Sequence, residues 1–335
     1  MVTPRIDELL ERATSRQPVN PSDGKSGSTF ERVVVDGRSY FLKRLSPAVD
    51  WIMRVTRDRI HRPYVVWTAG IMDRAPACID HAVVAMEVEG EGETAELSVL
   101  MRDVGSSLVP EGDGPVPLTQ HAGFVEHMAA VCATFWGFTE DLGLSTMEER
   151  VRYFAPATIA PELLAGAVPG PIAAAHAGWA GLAERSPLLA RVASAVHEDP
   201  ALVAAPLART PPTFLHGDWK MGNLGSHPDG RTVLLDWAYP GSGPACWDLC
   251  WYLALNSARL PESKERAVER FRAALERARI ATDGWWEAQL DLCTVAIMAT
   301  FAWEKGLGDE GELRWWEQRV EAAVRGQGLA VPAPR

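Results

Sequence analysis

The stretch HGDWKMGN carries four polar side chains at fixed spacing, His216, Asp218, Lys220 and Asn223. Thirteen residues after Asn223, the apolar run TVLLD ends in Asp236. Clustering such groups in a folded chain is costly unless they are paired or used. Phosphoryl transfer from ATP has three needs that this set meets. It needs a group to accept or orient the nucleophile's proton, oxygen ligands for Mg²⁺, and a positive charge near the moving phosphate. Asp218, the pair Asn223 and Asp236, and Lys220 match these needs in turn. An Asp closing an apolar strand is well placed to hold a cation at the strand's mouth, and hard oxygen donors suit Mg²⁺ better than Zn²⁺.

Two other readings of the motifs are weaker. GKSGST suggests a phosphate loop of the G-x-x-x-x-G-K-S type, but Val19 stands where the first glycine belongs, and the segment precedes a strand instead of linking strand to helix. A dinuclear metallohydrolase would need a His-rich ligand set, which the remaining histidines do not form.

These residues need a scaffold. The chain has 335 residues, 47% of them hydrophobic, enough for a large core and more than one single-core domain usually holds. Its net charge of −11 argues against a nucleic-acid binder, which needs a basic face. Five cysteines, odd in number and without a CxxC pair, point to a reducing compartment; Cys246 and Cys250 read as one buried helix face. No signal-peptide pattern stands at the N-terminus, and the apolar stretch from Leu292 to Trp303 is too short to span a bilayer. A cytoplasmic protein without membrane attachment is the expectation.

Residues 4–17 read as an amphipathic helix and residues 20–29 as a loop. Two β-rich runs flank Asp36-Gly37 between Phe30 and Leu45, a hairpin signal. Helical patterns follow over 47–74, then strand-like runs at 81–88 and 94–102. A Gly- and Pro-dense break covers 102–117. Helical spacing then dominates near 118–140, 186–198, 244–258, 262–279, 283–305 and 310–325, with 155–183 ambiguous.

The sequence H-G-D-x-x-x-x-N, followed by LLDWA and DLCWYL, resembles the aminoglycoside phosphotransferase and choline kinase group of small-molecule kinases. The resemblance is specific over 213–255 and looser in the first hundred residues. It implies an α+β, protein-kinase-like, two-lobed fold. Residues 1–104 would form a small N-lobe with an antiparallel sheet, and 105–335 a larger, mainly helical C-lobe. It implies Asp218 as catalytic base, Asn223 and Asp236 as magnesium ligands, and His216 as a brace of the loop. Asp248 would hydrogen-bond that loop from a helix start. Lys220 stands where protein kinases place a lysine that neutralises the transferring phosphate. Lys43 would grip the nucleotide phosphates, under a loop that includes Gly24, Ser26, Gly27 and Ser28. Met101 to Val104, with Asp103 among them, would read the adenine edge through the backbone. The usual glutamate partner of that lysine has no counterpart between Ser46 and Ala75; either Asp58 or Asp73 substitutes or the pairing is absent.

The implied activity moves the γ-phosphate of ATP, or of GTP, with Mg²⁺, to a hydroxyl of a small molecule. The alternative is a nucleotide-binding pseudokinase or scaffold without turnover. The eleven residues between Asp236 and Asp248 leave little room for a protein kinase's peptide platform. Trp247, Trp251, Trp285, Trp286, Trp303, Trp315 and Trp316 read as core filling in preference to a sugar-stacking surface. The sequence leaves the acceptor's identity and the oligomeric state open.

Overall fold

The structure, a computed structural model, describes residues 5–19 and 26–331. Among them the strands are β1 (Ala13–Val19), β2 (Thr29–Val35), β3 (Arg38–Leu45), β4 (Ile79–Asp80), β5 (Val83–Glu89), β6 (Glu96–Arg102), β7 (Pro212–Leu215), β8 (Leu224–Ser226), β9 (Thr232–Leu234) and β10 (Gly241–Pro244). The chain divides into two compact units: residues 1–111 with 221–238, and residues 112–220 with 239–335. The fold is α+β and protein-kinase-like, with an antiparallel sheet towards the N-terminus and mostly helices towards the C-terminus.

The first unit is built on a five-stranded antiparallel sheet of order β1-β2-β3-β6-β5. Asp36 and Gly37, both at positive φ (49° and 74°), turn β2 into β3, as the pleat's twist favours for a two-residue hairpin. Alternation along β3 sends Leu42 to a core with Ile6, Val33, Val35, Ala85 and Leu100, and turns Phe41, Lys43 and Leu45 to the opposite face.

The helix expected over 4–17 is shorter in the structure. It covers Ile6–Glu11, and residues 13–19 form β1 against the edge of β2. A six-residue helix gains little by itself, while the open edge of β2 offers a full ladder, and Arg16 pairs with Glu31 at 2.8 Å across it. Pro18 is tolerated because β1 is an edge strand. The helical region expected over 47–74 is broken into Trp51–Val55, Arg62–Thr68 and a turn of 3₁₀ helix at Met72–Arg74. Arg57 and His61, at φ 53° and 55°, interrupt it.

A second small sheet in this unit, of order β4-β9-β8, positions two of the expected site residues. The strands β8 and β9 pair antiparallel, Leu224 opposite Leu234. The residues at the open end of that hairpin are Asn223 before β8 and Asp236 after β9.

The second unit is helical around a two-stranded β7–β10 ribbon. Its longest helix, Trp286–Leu307, is buried along most of its length. Helices Gly170–Arg185, Pro187–Glu198, Cys246–Leu255 and Glu310–Gly326 pack against it. The apolar stretch 292–303 is thus a core helix, and no described helix is long and apolar enough to cross a membrane. Cys132, Cys246, Cys250 and Cys293 are free and buried. Burial pushes their thiols up, that of Cys250 to about 12, so they act as small core side chains.

Candidate active site

In the first unit, a cavity of about 240 Å³ opens beside the sheet. Phe41, Leu45, Val83, Met86, Val99 and Met101 give it apolar walls, and Lys43, Asn223 and Asp236 supply its polar end. The hairpin explains the spacing of the last two. The amide of Leu235 donates to the Asn223 carbonyl at 2.9 Å, so residues thirteen apart in sequence lie side by side. Asp236 sits at φ 58°, in the left-handed region. For a non-glycine residue this costs on the order of 1–2 kcal/mol, and such conformations concentrate at functional positions.

The Lys43 ammonium lies 3.0 Å from Asp236 Oδ1. The partner that the sequence leaves without a glutamate is therefore an aspartate 193 residues away. Asp58 is engaged in capping: its carboxylate accepts from the amides of Ile60 and Arg62 at the start of the helix Arg62–Thr68. Asp73 lies in the 3₁₀ turn after that helix.

The other nucleotide-binding candidates are distributed unevenly. Met101 lines the cavity. Val104 packs with Ala82 and Val233 beside it. Asp103 turns elsewhere, accepting from Arg32 and Ser39 and from the amide of Gly105. The amides of Arg102 and Asp103 donate to Ala82 and Ser39 carbonyls, so the segment's readout of a base cannot use those two donors. Gly24 lies outside the described residues. Ser26, Gly27 and Ser28 are not among the cavity's lining residues. The Ser28 hydroxyl donates to Asp50 Oδ2 at 2.8 Å, and Trp51 N donates to the Ser26 carbonyl. Gly27, at φ 97°, leaves no room for a Cβ, which would lie 2.2 Å from the Val49 carbonyl. That end of the loop is thus pinned to the start of the helix Trp51–Val55.

In the second unit, the HGD segment is held by the helix Cys246–Leu255. Asp248 is buried, and its two oxygens accept the amides of His216 at 2.9 Å and Gly217 at 3.0 Å. Burial pushes the Asp248 carboxyl up to about 6, against the pull of Arg150 and these two amides, while Asp218 adds to the rise. His216 is also buried, and its Nδ1 accepts the Asp218 amide at 3.3 Å. Gly217 stands at φ 84°, where a Cβ would come within 1.9 Å of the Tyr239 carbonyl, so the motif admits no side chain there. The Asp218 carboxylate is gripped on both oxygens: Trp251 Nε1 donates to Oδ1 at 3.0 Å, and Lys220 Nζ stands 2.9 Å from Oδ2.

Two residues here are missed by reading the sequence alone. Arg150 is fully buried, donates to the Tyr239 carbonyl at 2.9 Å, and lies over the Tyr239 ring at 4.6 Å. Nothing local distinguishes it in a short helix opened by a Thr146/Glu149 capping box. Trp251 had a usable signal: it follows Asp248 by three residues on one helix, and such residues share a face.

The model of the Phosphotransferase enzyme family matches residues 19–288. The chain belongs to that family. No curated protein gives a significant match to the sequence. Among solved structures, the family's fold is found in the microcompartment-associated aminopropanol kinase, with 14% identity, TM-score 0.56, and 97% of this chain and 96% of that chain covered. The choline kinase LicA from Streptococcus pneumoniae is similar at 14% identity and TM-score 0.51, with 96% of each chain covered. A complex of LicA with AMP matches at 12% identity and TM-score 0.50, covering 94% of this chain and 92% of that one. At these identities the likeness establishes the fold that this family member shares with small-molecule kinases.

Proposed function

We propose that this phosphotransferase moves the γ-phosphate of ATP or GTP to a hydroxyl of a small molecule, with Mg²⁺. The observation that carries the reading is the Lys43–Asp236 pair in the first unit's cavity, which Asn223 also lines. The apolar walls suit a purine base, and the cationic end suits its phosphates. LicA, one of the similar structures, has been solved with AMP.

The residues fit a magnesium ion. Asn223 and Asp236 offer hard oxygen donors at the open end of one hairpin, and the Asp236 carboxylate already attracts a cation, the Lys43 ammonium. When bound, Mg²⁺ supplies charge neutralisation on the phosphate oxygens. Lys43 then holds the phosphates as a fixed positive charge. Asp218 accepts the proton of the acceptor hydroxyl, or orients that hydroxyl, and Lys220 offsets negative charge on the transferring group. Asp248 and His216 keep the loop in shape. Catalysis is then positioning and charge stabilisation without a covalent intermediate.

A panel of hydroxylated metabolites and aminoglycosides with γ-labelled ATP tests the reading. Label transferred to at least one acceptor, dependent on Mg²⁺, is the expected result. Stabilisation by Mg·ATP in a thermal-shift assay, with no transfer across a broad panel, would favour the nucleotide-binding pseudokinase instead.

A further inference from the structure

We infer that Trp251 is a positioning residue for phosphoryl transfer. Its indole N–H fixes Oδ1 of Asp218, so that Oδ2 is the oxygen presented to the acceptor hydroxyl. The inference rests on the reading of Asp218 as the base.

The contacts of Trp251 and Lys220 on Asp218 differ in kind. Lys220 approaches Oδ2 on a flexible stem, with its side chain 35% exposed, and such an ammonium moves readily to another anion. Trp251 is only 2% exposed. Its ring meets Phe301 edge-on at 4.7 Å and lies 6.0–6.3 Å from Trp247, Tyr239 and Tyr153. An indole so enclosed cannot swing, so the hydrogen bond at Oδ1 is the fixed one and Oδ2 the one that can be released.

Satisfying a buried indole does not by itself explain the choice of partner. Trp179, Trp237, Trp285 and Trp303 of this chain donate to backbone carbonyls. Trp315 and Trp316 donate to glutamates of the C-terminal helices. Trp251 donates to the carboxylate of the catalytic loop. It does so from the same helix whose Asp248 holds the amides of His216 and Gly217. One rigid helix thus sets three consecutive residues of the loop, two through their backbone and Asp218 through its side chain.

Trp251→Phe keeps an aromatic ring in the pocket and removes the donor. With an acceptor from the labelled panel, kcat is expected to fall about 10- to 100-fold, the scale of a misaimed catalytic group. The KM for ATP and the thermal shift by Mg·ATP should stay at their wild-type values, a split that general loosening would not produce. A second readout needs no acceptor. The indole ¹⁵N–¹H resonance of Trp251 should move strongly in Asp218→Ala. It is identified by its loss in Trp251→Phe, or by backbone-linked assignment if that variant does not fold.

A kcat within about twofold of wild type in Trp251→Phe, with Asp218→Ala inactive, would overturn the inference and leave the function standing. So would an indole resonance indifferent to Asp218→Ala. Near-native turnover by Asp218→Ala would remove the base assignment itself, and this inference with it.

Discussion

The two acids proposed to carry the reaction of this enzyme are held by opposite strategies. Asp218 is fixed from close by and from one helix further on: Lys220 two residues on, the His216 ring two residues back, and the helix whose Trp251, 33 residues away, reaches its carboxylate and whose Asp248 holds the loop's amides. Asp236 is fixed by distance. Its cation comes from β3, 193 residues away, and its backbone is bent into a left-handed conformation at the end of a short hairpin. The first arrangement lies within one segment of the chain, residues 216 to 251. The second exists only once the sheet and the hairpin have formed. A phosphotransferase needs both, because aiming a hydroxyl is a short-range problem, while neutralising a triphosphate requires charges from separate elements.

Breaking the distant arrangement should have the largest effect. Asp236→Ala removes a proposed metal ligand and the partner of Lys43 together; turnover should drop by about 10³-fold or more, and excess Mg²⁺ should not restore it. Removing the ion with a chelator should silence the wild type to the same degree. A variant at Asp236 that kept near-native rates would show that the hairpin plays no part in metal binding. Next in size comes Lys43→Met, expected to cost about 10²-fold in kcat/KM for ATP, the scale for losing one fixed charge on a developing anion. An unchanged KM and kcat there would place the phosphates elsewhere.

The local arrangement should show itself through pH. Burial raises the Asp248 carboxyl to about 6. Above that pH it is ionised and accepts two loop amides as a charged group; below it the proton weakens both bonds. Turnover should therefore fall as pH drops through about 6, and a rate profile that stayed flat well into the acid range would contradict this bracing role.

The smallest effect is expected at Glu265, in the helix Lys264–Arg277. Partial burial works against it, but hydrogen bonds from its own amide, Trp315 and Arg319 bring the Glu265 carboxyl down to about 2. A carboxyl depressed on folding stabilises the fold above its unfolded value near 4.5 and loses that contribution as pH falls towards 2. Glu265→Gln should thus lower the urea midpoint near neutral pH by a small margin and in acid, close to the folded value, by less, with activity unaffected. An equal loss under both conditions would mean that the charge is not the cause.

How much was legible in the chain follows the same division. His216, Asp218, Lys220, Asn223 and Asp236 stand out as candidates because their spacing is set by one loop and one hairpin. Asp36-Gly37 gave away the β2–β3 turn because two positive φ values leave few residue choices. The partner of Lys43 was invisible, since no local rule links β3 to a residue after β9. Trp251 was hidden for another reason: in the apolar run DLCWYL a tryptophan reads as core, and it is core, yet its one polar atom reaches Asp218. Residues 13–17, read as the end of an amphipathic helix, instead form part of a strand because the edge of β2 is there to pair with. Asp103 shares a segment with Met101 but turns to Arg32 and Ser39.

The role of Asp218 is tested most directly by a single-turnover measurement with γ-labelled ATP, Mg²⁺ and an identified acceptor, comparing wild type with Asp218→Ala. The variant should bind Mg·ATP with unchanged affinity and transfer label at least about 10²-fold more slowly. Transfer at the wild-type rate by a variant without that carboxylate would contradict the assignment of Asp218 as the base.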